Sequence, residues 1–270
     1  MNYKIKSLGY RTDFIFNRLD GSVRDKGEYI VATTTSNPNY FWGNLLLYKQ
    51  PPKQGDFSIW KSDFLAEFTN PDIYHMTFAW DSPEGVEGDC SEFLAQGFKL
   101  EKSVVLTTEN VIKPTKYNHN VLIRPISSQE DFDRCVDIQV SCSDQYLSKD
   151  SWRDFYSKSM KQYKKLIGQG HGKWFGAFLD GELVGSLGIF TDQDIARFQI
   201  VSTHKDFQRR GVCSTLVFDA AKYALDNMGV KTLVMVADEE YHAAKIYESV
   251  GFTPKQEQIG VCFWDKSKLE

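Results

Sequence analysis

No two of the five cysteines (Cys90, Cys135, Cys142, Cys213 and Cys262) form a C-x-x-C pair, and their number is odd. The scatter speaks against a disulfide framework or a zinc site and reads as free thiols in a reducing compartment. The chain also has no apolar run of membrane-spanning length. Its start, Met1-Asn2-Tyr3-Lys4, carries no signal-peptide apolar region. A cytoplasmic protein without a membrane partner is therefore expected. Long basic runs are missing too. The 32 Lys and Arg stand against 36 Asp and Glu, and the resulting net charge of −4 argues against nucleic acid as a partner. Neither G-x-x-x-x-G-K-[ST] nor G-x-G-x-x-G occurs, so the two commonest phosphate-cradling loops are absent.

What is present is the composition of a globular protein, with 41% hydrophobic and 25% charged residues. At 270 residues the chain is long enough for two domains, each burying its own core. The polar stretch Thr107-Thr108-Glu109-Asn110, followed by Lys113 to Asn120, has the composition of a linker. It divides the chain into residues 1–110 and 121–270. The composition leaves the oligomeric state open.

After the linker the elements follow in a clear order. Val121 to Ile126 is a short strand stopped near Pro125, and Ser128-Gln129-Glu130-Asp131 starts a helix. A second helix runs from Asp150 to Leu166. Lys173–Leu179 and Glu182–Phe190 are strands, joined at the hairpin turn Asp180-Gly181. Ile195–Thr203 is a third strand. Apolar residues from Cys213 to Met228 keep a helical period that Gly229 ends. The strand 231–237, a helix from Tyr241 to Val250 and the strand Ile259–Trp264 complete the chain. The expected fold class is α/β (α+β), a mixed sheet flanked by helices.

The informative unit is Gln208-Arg209-Arg210-Gly211-Val212-Cys213, standing between an apolar strand and a helix. Backbone amides at a helix start point outward, and the helix dipole favours an anion there. Two arginines add charge, and a glycine permits close approach. Together they suit a pyrophosphate. This hexapeptide resembles the [QR]-x-x-G-x-[GA] signature of the GNAT superfamily of N-acetyltransferases, with Cys213 replacing the final small residue. The stretch His242 to Phe252 resembles the family's later helix, N-x-x-A-x-x-x-Y-x-x-x-G-F.

The resemblance covers about 121–270 and implies a mostly antiparallel sheet in the GNAT fold. It implies acetyl-CoA as co-substrate, with its pyrophosphate on Gln208, Arg209, Arg210, Gly211, Val212, Cys213 and Ser214. Its pantetheine arm would lie along Val201, Ser202 and Thr203, with His242 as a further contact. Tyr247 would protonate the leaving thiolate. Relatives that acetylate proteins often carry a Glu near the start of the strand; here Arg197 stands there. Asp192 and Asp194 are the nearest carboxylates in sequence. The implied activity is acetyl transfer to a primary amine, with a small-molecule acceptor expected. A non-catalytic acyl-CoA-binding module and acyl transfer to a protein amine are the alternatives.

The first half reads as a worn copy. Phe93 to Phe98 followed by the strand 103–107 parallels Tyr247 to Phe252 and the last strand. Glu28–Thr35, Trp42–Tyr48 and His75–Trp80 read as further strands, and Asp56–Phe68 as a helix lacking the motif glycine. Two tandem GNAT-like domains are thus expected, the first unable to hold coenzyme A. Tyr40, Phe41, Trp42, Trp60 and Trp80 are read as core aromatics, with a pocket lining as the alternative.

Overall fold

The computed structural model describes residues 3–143, 148–238 and 243–265. Its residues gather into two compact units. One comprises the described parts of Met1–Val105 and Gln256–Glu270, the other Leu106–Lys255.

In the first unit the order is α1 (Leu8–Asp20), β1 (Gly21–Asp25), β2 (Tyr29–Thr34), β3 (Leu45–Tyr48), α2 (Asp56–Glu67), β4 (His75–Trp80), α3 (Ser91–Ala95) and β5 (Lys99–Thr108). The strand expected over Trp42–Tyr48 begins only at Leu45. Phe41–Gly43 is instead a tight turn. The Asn44 amide holds that turn by donating to the carbonyls of Asn37, Pro38 and Tyr40. Helix α1 has no counterpart among the sequence expectations. The C-terminal strand β11 (Thr253–Trp264) was expected to end the second half. It pairs antiparallel with β4 from Gly260↔Ala79 to Trp264↔His75, so its main part counts with the first unit.

Trp60 and Trp80 are core, 4% and 0% exposed. Trp60 stacks on Tyr48 at 3.7 Å between ring centroids, and the Trp80 indole donates to the Val86 carbonyl. Tyr40, Phe41 and Trp42 are half-buried around the turn.

His75 is 2% exposed, and its Nε2 lies 3.1 Å from the Asn44 carbonyl oxygen. That carbonyl can only accept, so Nε2 carries a proton. Burial pushes the imidazole down to about 4, with the Asn44 bond opposing the shift. A histidine depressed from 6.5 makes the fold lose stability as pH falls through that window. The unfolded chain binds the proton first. The whole window is worth roughly 3 kcal/mol, of which about 2.5 kcal/mol falls between pH 7.5 and 4.5. Urea unfolding at those two pH values should show this loss in the wild type and a smaller one in His75→Gln. Parallel losses in the two proteins would contradict the assignment.

In the second unit come β6 (Val121–Pro125), α4 (Gln129–Cys142), α5 (Lys149–Gly168), β7 (Gly172–Leu179), β8 (Glu182–Asp192), β9 (Ile195–Thr203), α6 (Val212–Asn227), β10 (Thr232–Asp238) and α7 (Ala243–Glu248). Ser128 starts α4 as expected, its hydroxyl accepting from the Asp131 amide at 3.1 Å. The Asp180-Gly181 turn joins β7 and β8 with both φ angles positive, the backbone of a two-residue hairpin. The strand order is β10-β9-β8-β7-β6, antiparallel except for β9 and β10. Adjacent residues of β8 face different helices: Ser186 lies beside Cys135 of α4, while a side chain at Gly185 would touch Val212 of α6. Helices therefore cover both faces of this sheet. No described helix is long and apolar enough to cross a membrane.

Candidate functional site

Parallel strands β9 and β10 pair only from Ile195↔Thr232 to Arg197↔Val234. Both then run on, to Thr203 and Asp238, with a cavity of about 230 Å³ between them. Arg197–Val201 form one wall and Met235–Asp238 the other, and Tyr247 of α7 closes the side. On its other edge β9 stays bonded to β8, but the register slips between Ser186↔Ser202 and Gly188↔Gln199. The extra residue is a β-bulge, and Ile200 within it has φ +46°. A β-branched side chain in the left-handed region stores strain, on the order of 1–3 kcal/mol. The bulge re-aims the backbone of β9 where the strands part. Gln199 is held from α5, its amide donating to the Tyr163 hydroxyl at 2.8 Å.

Beyond Thr203 the chain makes one tight turn at Lys205–Phe207 and then enters α6. Arg209 and Gly211 both have positive φ, +62° and +77°. Gly211 caps the helix without a side chain, so the first-turn amides of α6 face outward with no intrahelical acceptor. Gln208, Arg209 and Arg210 are exposed, and the Arg210 guanidinium lies 5.3 Å from the Phe207 ring centre.

The glycine has a second reason to be there. A β-carbon on Gly211 would collide with the Lys116 carbonyl oxygen. The polar stretch around Lys116, read from sequence as linker, is seated on this helix start. Asn118 donates to the Thr215 hydroxyl and the Arg210 carbonyl, both at 2.8 Å, and Tyr117 donates to Asp219 at 2.9 Å. The Ser214 hydroxyl donates to the Lys116 and Gly211 carbonyls. For a phosphate, Ser214 therefore offers chiefly its backbone amide.

Thr203 joins the two halves of the site. Its carbonyl accepts from the Cys142 thiol at 3.2 Å and from the Gln208 side chain at 3.3 Å. Its side chain lies beside Cys213, whose thiol is pushed up to about 11 by burial. At neutral pH Cys213 is thus an uncharged small residue, compatible with an anion close by. Val201 and Tyr247 line the cleft, while Gln208 to Ser214 form the helix start. His242 lies outside the described residues. The later-helix pattern in any case puts its first residue three before Ala243, at Glu240, which lies outside them as well.

Sequence reasoning missed two features. Ile200 offers no signal, because nothing in an isoleucine marks a bulge. Asp238 was legible as the polar residue ending an apolar strand. Asp192 and Asp194, the carboxylates noted from sequence, sit at the β8–β9 turn, where the Asp194 carbonyl receives the amides of Lys231 and Thr232. At about 3.3 Å per residue, that turn is about 20 Å along β9 from Val201.

Residues 137–252 match the model of the acetyltransferase (GNAT) family. No curated protein matches the chain by sequence. Solved structures resemble it over nearly its whole length. A conserved protein of unknown function from Staphylococcus epidermidis has a TM-score of 0.67 at 15% identity, over 93% of this chain and 97% of that one. A GCN5-related N-acetyltransferase from Kribbella flavida has a TM-score of 0.65 at 11% identity, over 95% and 96%. A tandem GNAT protein from the clavulanic acid biosynthesis pathway has 0.55 at 12%, over 97% and 89%. At such identities these likenesses speak for the fold. With the splayed strands, the glycine-capped helix and the matching family model, the chain carries over residues 137–252 a domain of the acetyltransferase (GNAT) family.

Proposed function

We propose that the protein is an N-acetyltransferase that moves the acetyl group of acetyl-CoA to a primary amine of a small molecule. The observation that carries the reading is the cleft between β9 and β10, opening directly onto the Gly211-capped start of α6. Proteins of this family transfer acyl groups from acetyl-CoA, and the residues here suit it. The outward amides of residues 211–214, with Arg209 and Arg210, would take the pyrophosphate. The unpaired edge of β9 at Val201 and Thr203 would receive the pantetheine amides, as an added strand would. Ser202 keeps β9 in register with β8 behind them. The backbone re-aimed by the bulge at Ile200 would meet the thioester carbonyl and stabilise its oxyanion. Tyr247 would protonate the departing sulfur. Arg197 in the cleft wall, instead of the carboxylate of protein-acetylating relatives, favours a small acceptor.

In this reading the first unit is a degenerate counterpart. Its elements α1-β1-β2-β3-α2-β4-α3-β5 repeat the order α5-β7-β8-β9-α6-β10-α7-β11, and β3 and β4 are parallel like β9 and β10. The register of β3 and β4, however, reaches Tyr48↔Trp80, the last residue of each strand. No cleft opens, and Trp60 fills the space above Tyr48. Gly55, just ahead of the helix expected to lack a glycine, caps α2 with φ +89° as Gly211 caps α6. Here carboxylates crowd the helix start: Glu92 accepts from the Gly55 amide at 3.1 Å, and Asp56, the first residue of α2, accepts from the Lys53 amide at 2.8 Å. One acetyl-CoA per chain is the consequence. Five free thiols accord with a cytoplasmic location.

The test is thiol release from acetyl-CoA over a panel of small amines, amino acids and lysine peptides. Release with a small amine is expected. Binding of acetyl-CoA without turnover on any amine would favour the non-catalytic module, and release with peptides alone would favour a protein acceptor.

A further inference from the structure

Acetyl transfer to an amine needs a group to take the ammonium proton, and the proposed function leaves that group unassigned. Resting on that reading, we infer that Asp238 accepts this proton. Among the described residues lining the cleft between β9 and β10, Asp238 is the one carboxylate. Asp238 lines the same cavity as Ile200 and Val201, on the wall that β10 forms opposite them. It is exposed at the end of β10, so a proton received there passes to solvent. Among the described residues, the other titratable groups lining the cleft are Arg197 from β9 and Tyr247 from α7. Neither can act as the base, since a guanidinium has no basic lone pair at neutral pH and the phenol serves here as an acid. The carboxylates of the β8–β9 turn are too distant.

The step balances without another reactant. R–NH₃⁺ gives one proton to the Asp238 carboxylate, and the freed lone pair attacks the thioester carbon. The N–C bond forms and the C–S bond breaks. The second nitrogen proton passes to solvent as the amide forms, the sulfur leaves as a thiol protonated by Tyr247, and the phenolate takes that second proton back from solvent. The products are R–NH–acetyl, coenzyme A thiol and one proton released by Asp238.

The experiment compares Asp238→Asn and Asp238→Glu with the wild type, using the best amine from the panel. Rates are measured as kcat/KM against pH, and acetyl-CoA affinity by calorimetry. Asp238→Asn should lower kcat about 100-fold at pH 7. Its kcat/KM should climb with pH toward the pKa of the free amine, while acetyl-CoA affinity stays within about twofold and Asp238→Glu recovers part of the rate. The side chain is exposed and asparagine keeps its shape, so unchanged acetyl-CoA affinity also reports a folded variant. An unaltered pH profile in Asp238→Asn, or a loss confined to acetyl-CoA affinity, would overturn the inference while the acetyltransferase reading stood. A wild type inert toward every amine is the separate result that removes both.

Discussion

Gly211→Asp is expected to weaken acetyl-CoA binding by at least about 100-fold, or about 3 kcal/mol. Three physical effects coincide at this position. The residue has φ +77°, a conformation costing a non-glycine residue roughly 1–2 kcal/mol. Any β-carbon meets the Lys116 carbonyl oxygen, so the docked segment around it must shift. A carboxylate at the helix start also repels a pyrophosphate and occupies the amides meant for it. In the first unit Glu92 already accepts from the amide of the capping Gly55. Gly211→Ala carries the backbone and steric effects without the charge, so the difference between the two variants isolates the electrostatic part. Calorimetric titration with acetyl-CoA, alongside thermal unfolding of each variant, makes the measurement. Unchanged affinity in a folded Gly211→Asp protein would refute the placement of the pyrophosphate. Complete loss of binding would also agree with the first unit having no site of its own.

The second large effect is expected at Tyr247. Tyr247→Phe should lower kcat by about 100-fold or more, within the range for losing a general acid. Acetyl-CoA affinity and stability should barely change. The ring is 6% exposed and packs edge-on against Phe252 at 6.4 Å, a contact that phenylalanine keeps. Steady-state turnover together with acetyl-CoA titration separates the two roles. Full activity in the variant would reduce Tyr247 to a packing residue and leave solvent to protonate the thiolate.

The legible parts of this protein are those written in neighbouring residues. Asp180-Gly181 predicts a hairpin because only certain residues adopt the two positive φ angles it needs. Ser128 marks a helix start because its hydroxyl can accept the Asp131 amide. Gln208 to Gly211 marks the start of α6 for the same kind of local reason, the glycine taking the positive φ that the cap needs. Other features are not local. The end of Trp42–Tyr48 that failed to become strand was captured by Asn44, whose three carbonyl partners lie four to seven residues back. That capture competes with strand pairing and leaves no mark in a hydrophobic pattern.

The sequence by itself determined that residues 137–252 form a GNAT-family domain, and that a glycine-capped helix start follows β9. Both rest on motifs in which each residue's backbone preference and charge act within a few positions. Only the tertiary structure decided where β9 and β10 part company, because an apolar strand looks the same paired or splayed. It alone placed strain at Ile200, brought Asp238 and Val201 to one cavity, and set Lys116 against Gly211. It also gave β11 to β4, pairing Gly260 with Ala79 across most of the chain's length. Those choices depend on which distant backbone groups find partners once the cores have formed.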